Sequence, residues 1–397
     1  MKPFGIYIHW PYCVAKCPYC DFNSHVRERI DETQWIRLVE TELTAMTRLR
    51  MDWPQVESVF FGGGTPSLMS GRAVGAVLDT IFRLWKVNAL AEITLEANPN
   101  SVERERFGDY RAAGVNRVSI GVQSFDDPAL RQLGRAHNSE EAKRAVQTAK
   151  SIFPRVNFDL IYARPQQTVD EWARELNQAL QFGTEHLSLY QLTIEQGTAF
   201  AGLYRQGKLK LPDEDLAADF YAATQEICEA AGLPAYEISN HARPGQESRH
   251  NLLYWRYGDY AGVGPGAHGR LTIEGRRYAS ETERLPEKWT ARVGSKGQGF
   301  SLSEICPRDA AKEHLLMGLR ISEGVNLAEF ATRWKLAPSG ERLQRLQEME
   351  LIIVQHGYLS VSRAGRLVLN RVTHELTESL APWRSAIRTK NPFEERI

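Results

Sequence analysis

The chain has 397 residues, enough for two or three domains and a large buried core. Lysine plus arginine and aspartate plus glutamate both number 49, and this balance excludes a general polyanion binder. The five cysteines, the lack of an apolar run near the ~20 residues of a membrane span and the opening MKPFGIYIHW, which has no secretory apolar run, point to a reducing, cytoplasmic setting.

In chain order, the first strand is GIYIHW. It leads into a loop where Cys13, Cys17 and Cys20 fall within eight residues. VESVFFGGGTPS ends in glycines, and the pattern predicts a helix over Gly71–Lys86. AEITLEANP stops at a proline, with a helix beginning near Val102. GVNRVSIGVQSF precedes an Asp-Asp-Pro-Ala-Leu helix start, VNFDLIYARP precedes TVDEWARELNQALQF, and HLSLYQLTIE is the sixth strand. Strands alternating with helices imply parallel pairing through helical crossovers. Six of them suit an α/β fold of the partial (β/α)6, TIM-like barrel kind, with ligands at the carboxyl ends of the strands. Residues 1–230 form this core and 231–298 an extension. Beyond the polar GSKGQG stretch, 299–397 carries helices and then a short hairpin pattern, with apolar residues at helical spacing. That last part has no concentrated basic stripe, so no nucleic acid partner is expected.

The three clustered thiols ask for a metal. Zinc wants four protein ligands, and His9 or His25 could complete a Cys3His set; Cys228 and Cys306 are far away in the chain. A cubane iron–sulfur cluster is normally held by four thiolates. Cys-x3-Cys-x2-Cys supplies three and leaves one iron open to a small chelating molecule. Gly62-Gly63-Gly64-Thr65-Pro66 is a second anchor: glycines allow close approach and positive φ, so backbone amides can face a ligand, or the run can be a tight turn.

Cys-x3-Cys-x2-Cys with Tyr19 before the last cysteine, followed by GGGTP, resembles the radical S-adenosylmethionine (SAM) superfamily. The resemblance implies a [4Fe–4S] cluster on Cys13, Cys17 and Cys20, with SAM on the fourth iron. It implies SAM contacts at Tyr7, Tyr19, Gly63, Gly64, Thr65, Glu96, Gln123, Arg135 and Asp159. Carboxylates can hold ribose hydroxyls or an ammonium, and an arginine can hold a carboxylate. The order of motifs and the C-terminal half resemble the oxygen-independent coproporphyrinogen III oxidase family, whose last domain is winged-helix-like. True oxidases of that family carry a fourth cysteine where Phe22 stands here, and a longer N-terminal segment than the twelve residues before Cys13. Both departures point to the HemW-type haem chaperones, with oxidative decarboxylation as the alternative.

His250-Asn-Leu-Leu-Tyr254-Trp255 is similar to the HNxxYW motif of those chaperones, which implies haem as a further ligand and a haem-acceptor protein, such as a membrane-bound respiratory one, as partner. Imidazole can ligate haem iron, and Tyr254 and Trp255 offer flat apolar surface. The glycine-rich run Gly262–Gly269 follows. It leaves His268 open between a cofactor contact and loop packing. Ala163-Arg164 departs from the family's usual glycine-leucine, placing a bulky charge next to the Asp159 strand end.

Overall fold

The computed structural model describes residues 3–100 and 105–383; the helix start expected near Val102 lies outside them. One sheet dominates. Its strands are β1 (Phe4–Trp10), β2 (Val56–Gly63), β3 (Val87–Ala97), β4 (Arg117–Gln123), β5 (Arg155–Tyr162), β6 (His186–Gln191), β7 (Asn240–Ala242), β8 (Asp259–Val263), β9 (His268–Ile273), β10 (Arg276–Thr282) and β11 (Phe300–Ile305). They pair in the order β11-β10-β9-β8-β1-β2-β3-β4-β5-β6-β7. From β8 to β6 every pairing is parallel. The six expected strands are therefore β1 to β6, in sequence order, each joined to the next across a helix such as Glu32–Thr47, Gly71–Leu84 or Val169–Leu180.

The crossover helices are built from ordinary signals. Val169–Leu180 starts at Thr168, whose side chain accepts from the Glu171 amide while Glu171 accepts from the Thr168 amide. Its buried residues, Trp172, Leu176 and Ala179 among them, recur at helical spacing and face the sheet. β1 alternates inward and outward yet is buried nearly throughout, as a central strand of a covered parallel sheet must be.

The extension is not a separate layer. β8 lies parallel beside β1, with Tyr7 level with Gly262, and adds a seventh parallel strand. β9, β10 and β11 continue the sheet antiparallel. The sheet thus ends at Ile305, past residue 298, and Trp289, Val293 and Phe300 share the main core with Phe4 and Leu95. A second core, with Leu315, Phe330, Leu359 and Leu376 at 1 % exposure or less, belongs to the C-terminal domain. That domain runs helix (Pro307–Gly318), strand (Val325–Asn326), two helices (Leu327–Trp334, Gly340–Glu348) and a hairpin (Ile352–Gln355, Tyr358–Val361), the three strands forming one small sheet. This is the winged-helix order. Among the described residues no helix is long and apolar enough to cross a membrane.

Candidate functional site

The carboxyl ends of β1 to β6 open into a cavity of about 420 Å³, within the usual range for small-molecule sites. Cys13, Cys17, Cys20 and Tyr19 line it from the loop after β1, Gly64 and Thr65 from the end of β2, Glu96 from β3, Gln123 from β4, Arg135 from the loop after the Asp127–Gln132 helix, and Asp159 from β5. Residues scattered over nearly 150 positions of sequence thus reach one hollow. Tyr7 and Gly63 stand behind this lining; the Tyr7 hydroxyl bonds His9 Nδ1 at 3.0 Å.

The glycine run makes the tight turn, one of the two readings open to it. The amides of Gly64 and Thr65 donate to the carbonyls of Trp10 (2.7 Å) and Tyr12 (2.8 Å). The Gly63 amide donates to the Glu96 carboxylate. These three amides bind the cluster loop and Glu96, while Gly64 and Thr65 also line the cavity. Glycine is required all the same: Gly63 has φ 113°, and a Cβ on Gly64 would stand 2.6 Å from the Tyr12 carbonyl oxygen.

All three sulfurs have hydrogen-bond donors aimed at them, Cys20 from the Phe22 amide. Thr65 Oγ1 donates to Cys13 Sγ at 3.3 Å, and Arg135 Nη1 to Cys17 Sγ at 3.4 Å. Burial raises the Cys13 and Cys20 thiols above their ordinary pKa. A metal that binds thiolate must displace those protons, and donors of this kind favour the thiolate. Among the described residues no three His, Cys, Asp or Glu side chains converge on one ion. Of the two histidines that could complete a zinc site, His9 has both ring nitrogens engaged, Nε2 with the Asn23 carbonyl at 2.9 Å, and His25 Nε2 bonds the Arg284 carbonyl at 3.3 Å. The donor set therefore fits three thiolates spread around a larger cluster better than one zinc ion.

Arg135 is the hinge of the upper wall. Its Nη2 donates to Asn98 Oδ1 (2.6 Å) and to the Gly121 carbonyl (2.9 Å), while its buried Nε has no protein partner. That spare donor suits a ligand carboxylate. Asn98 in turn donates to Thr65 Oγ1 at 3.2 Å. Sequence reasoning passed over Asn98, although it stands two residues after Glu96 in the quoted LEANP. Gln123 reaches the lining through an irregularity in the β4–β5 register and a left-handed φ of 70°.

Glu96 and Asp159 carry the cavity's electrostatic peculiarity. Burial, with the nearby charge of Asp159, pushes Glu96 up to about 8. Burial likewise pushes Asp159 up to about 6, although Ser119 Oγ (3.4 Å) and Asn157 Nδ2 (3.2 Å) donate to it. Two costly buried carboxylates favour a cationic guest, and SAM carries an ammonium and a sulfonium.

The HNLLYW residues lie elsewhere. They form the Arg249–Trp255 helix, whose N-terminus is held by Glu92: its carboxylate accepts from the His250 amide at 3.1 Å and from Ser248 Oγ at 3.3 Å. His250 is 1 % exposed. Its Nδ1 bonds Ser58 Oγ (2.8 Å) and its Nε2 the Tyr254 hydroxyl (2.6 Å), and its ring stacks on Phe60 and, farther, on Tyr7. Ligation of iron by His250 would require breaking one of those bonds inside the barrel. Trp255 faces the other way, with the Arg320 guanidinium 4.8 Å from its ring centroid. Arg164 does not line the cavity: it is buried against Glu175 at 2.7 Å, and also bonds Ser124 Oγ.

Comparison with known proteins now bears on this geometry. Residues 7–179 match the radical SAM superfamily and residues 305–368 the HemN C-terminal domain. The "Heme chaperone HemW" of Haemophilus influenzae is 38 % identical, covering 94 % of this chain and 97 % of its own. The Escherichia coli protein of that name is 44 % identical over 72 % of this chain and 75 % of its own. The chain belongs to the HemW heme-chaperone family. A bovine relative, "Radical S-adenosyl methionine domain-containing protein 1, mitochondrial", is 40 % identical over 95 % of this chain and 88 % of its own. The solved structure of E. coli coproporphyrinogen III oxidase (HemN), a radical SAM enzyme, superimposes with a TM-score of 0.79 at 22 % identity, covering 95 % of this chain and 90 % of that one; it shares the fold. Membership of the HemW family implies a [4Fe–4S] cluster and SAM, and the thiols, the two carboxylates and the spare arginine donor fit both.

Proposed function

We propose that the protein is a cytoplasmic haem chaperone that binds a [4Fe–4S] cluster, SAM and haem, and passes haem to an acceptor such as a membrane-bound respiratory protein. The observation that carries this reading is the convergence of Cys13, Cys17 and Cys20 with Glu96, Arg135 and Asp159 on one cavity, in a chain whose relatives bear the chaperone name. The cysteines hold the cluster, whose chemistry when loaded is one-electron reduction of bound SAM. Glu96 and Asp159 receive the cationic parts of SAM, Arg135 Nε its carboxylate, and Tyr7, Tyr19, Gly63, Gly64, Thr65 and Gln123 shape the remainder. His250, Tyr254 and Trp255 serve haem handling from beneath: His250 and Tyr254 support Tyr7, and Trp255 joins the barrel to the C-terminal domain. No nucleic acid partner enters this reading.

Oxidative decarboxylation of coproporphyrinogen III is the competing activity on this fold. Phe22, at the cavity rim and 59 % exposed, stands where the oxidases have a cysteine. The test is anaerobic reconstitution followed by titration with haem and with SAM. Saturable haem binding, a SAM-dependent change in the electron paramagnetic resonance (EPR) spectrum of the reduced cluster and no protoporphyrinogen IX are expected. Sustained decarboxylation by the wild type would replace this assignment with the oxidase.

A further inference from the structure

We infer that His268 is the residue that presents a nitrogen to haem iron, an inference resting on the haem-chaperone reading. An axial imidazole needs a nitrogen that a ligand arriving from solvent can reach. His250 has none, with both nitrogens bonded inside the barrel. Of the ten histidines, three are exposed: His268, His356 and His374. The latter two sit in the C-terminal domain, in the hairpin turn and on the Leu369–Glu378 helix. Only His268 of these belongs to the barrel, and it belongs to the cluster end. β8 runs parallel to β1, so both strands end on the same side; the turn after β8 delivers the chain to His268, the first residue of β9.

His268 also has an acid nearby. It pairs across the ladder with Glu281, whose carboxylate lies 3.9 Å from Nδ1. At that distance no hydrogen bond forms, but a small side-chain rotation would let the carboxylate accept from Nδ1, as the acids behind metal-binding histidines do. Among the described residues nothing bonds Nε2.

Apolar surface stands on the same rim. Phe22 and Val26, 59 % and 48 % exposed, flank Asn23 and His25 in the cluster loop. Asn23 donates to the Pro265 carbonyl at 3.0 Å and to that of Arg284 at 2.9 Å, and His25 Nε2 bonds the Arg284 carbonyl at 3.3 Å. The segment carrying Phe22 and Val26 is therefore tied to the two turns next to His268 and Glu281. An exposed imidazole with an acid nearby, on a rim that also carries exposed apolar side chains, is what a porphyrin with a central iron can use.

The experiment is titration of the full-length, anaerobically reconstituted protein with ferric haem, reading the Soret band and the low-temperature EPR spectrum. The wild type is expected to saturate with a histidine-ligated signature. His268→Ala should lose that signature and bind at least tenfold more weakly, with iron content and the SAM-dependent cluster spectrum unchanged, and free imidazole should restore the signature. His374→Ala, at another exposed histidine, should behave as the wild type. Unchanged signature and affinity in His268→Ala, or an equal loss in His374→Ala, overturns the inference and leaves the chaperone reading intact. Absence of saturable haem binding by the wild type overturns both.

Discussion

Burial and the nearby charge of Asp159 hold the Glu96 pKa at about 8 against an ordinary 4.5, so the protonated form prevails at neutral pH. Binding a cation requires its ionised form. SAM affinity is therefore expected to rise between about pH 6 and 7, where the ligand's own amine is still mostly protonated, by up to about tenfold per unit. Glu96→Gln should flatten that profile, which calorimetry at several pH values reads. The sign for folding is opposite. A raised folded-state pKa contributes stability that is present below about 4.5 and lost as pH climbs through about 8, so the ligand-free Glu96→Gln protein should show a weaker decline in melting temperature over that window. For the cluster, Cys13→Ala, Cys17→Ala or Cys20→Ala should each abolish the iron–sulfur absorbance. Cys228→Ala and Cys306→Ala should keep it, since Cys228 lies in the main core and Cys306 caps the Pro307–Gly318 helix. Retention of about four irons in any of the first three variants would remove that cysteine from the ligand set.

At the scale of an element, the turn after β5 shows what the unusual Ala163-Arg164 costs and what it contributes. Ala163 has φ 55°, where an L side chain is strained by about 1–2 kcal/mol and glycine is not. Ala163→Gly is expected to raise stability by about 1 kcal/mol, measured by denaturant unfolding. Arg164 compensates in part: through Glu175 it ties this turn to Ser124 and the Phe125 amide at the end of β4 and to the Val169–Leu180 helix. Arg164→Leu leaves the 9 % exposed Glu175 carboxylate without its cation, and should cost roughly 3–5 kcal/mol, whereas Arg164→Leu combined with Glu175→Met should recover most of it. A single variant as stable as the wild type would mean that Glu175 finds another partner. The Arg249–Trp255 helix follows the same logic: histidine and aromatics serve packing and ligand binding alike, and the packing that Ser58, Phe60 and Glu92 give His250 depends on the fold.

Across the whole molecule, the C-terminal domain is coupled to the barrel through a polar and aromatic junction. Glu313 accepts from the Tyr257 hydroxyl (2.6 Å) and from Arg270 Nε and Nη2 (3.0 and 3.1 Å). Arg277 lies over the Tyr257 ring at 4.3 Å, and Arg256 grips Glu323 through two bonds. Each domain has its own core, so the junction sets how cooperatively they unfold. Glu313→Ala should separate one calorimetric transition into two while sparing the cluster, because the cavity lies at the other end of the strands. A single unshifted transition would show that apolar contacts alone join the domains.

Six strands, their order and the cluster loop were legible in the sequence because each is local. A parallel strand buried on both faces reads as an apolar run, and three thiols within eight residues need no tertiary information. β8 was not read as a seventh barrel strand: a five-residue, glycine-bearing strand has a weak pattern, and its place beside β1 depends on pairing across some 250 residues. For the same reason, tertiary structure alone decided that the amides of the glycine run bind the protein itself, that Asn98 joins Arg135 to Thr65, and that His250 is enclosed while His268 is open. Residue type states which hydrogen bonds a side chain can make; which ones it makes depends on the partners the fold brings within about 3 Å.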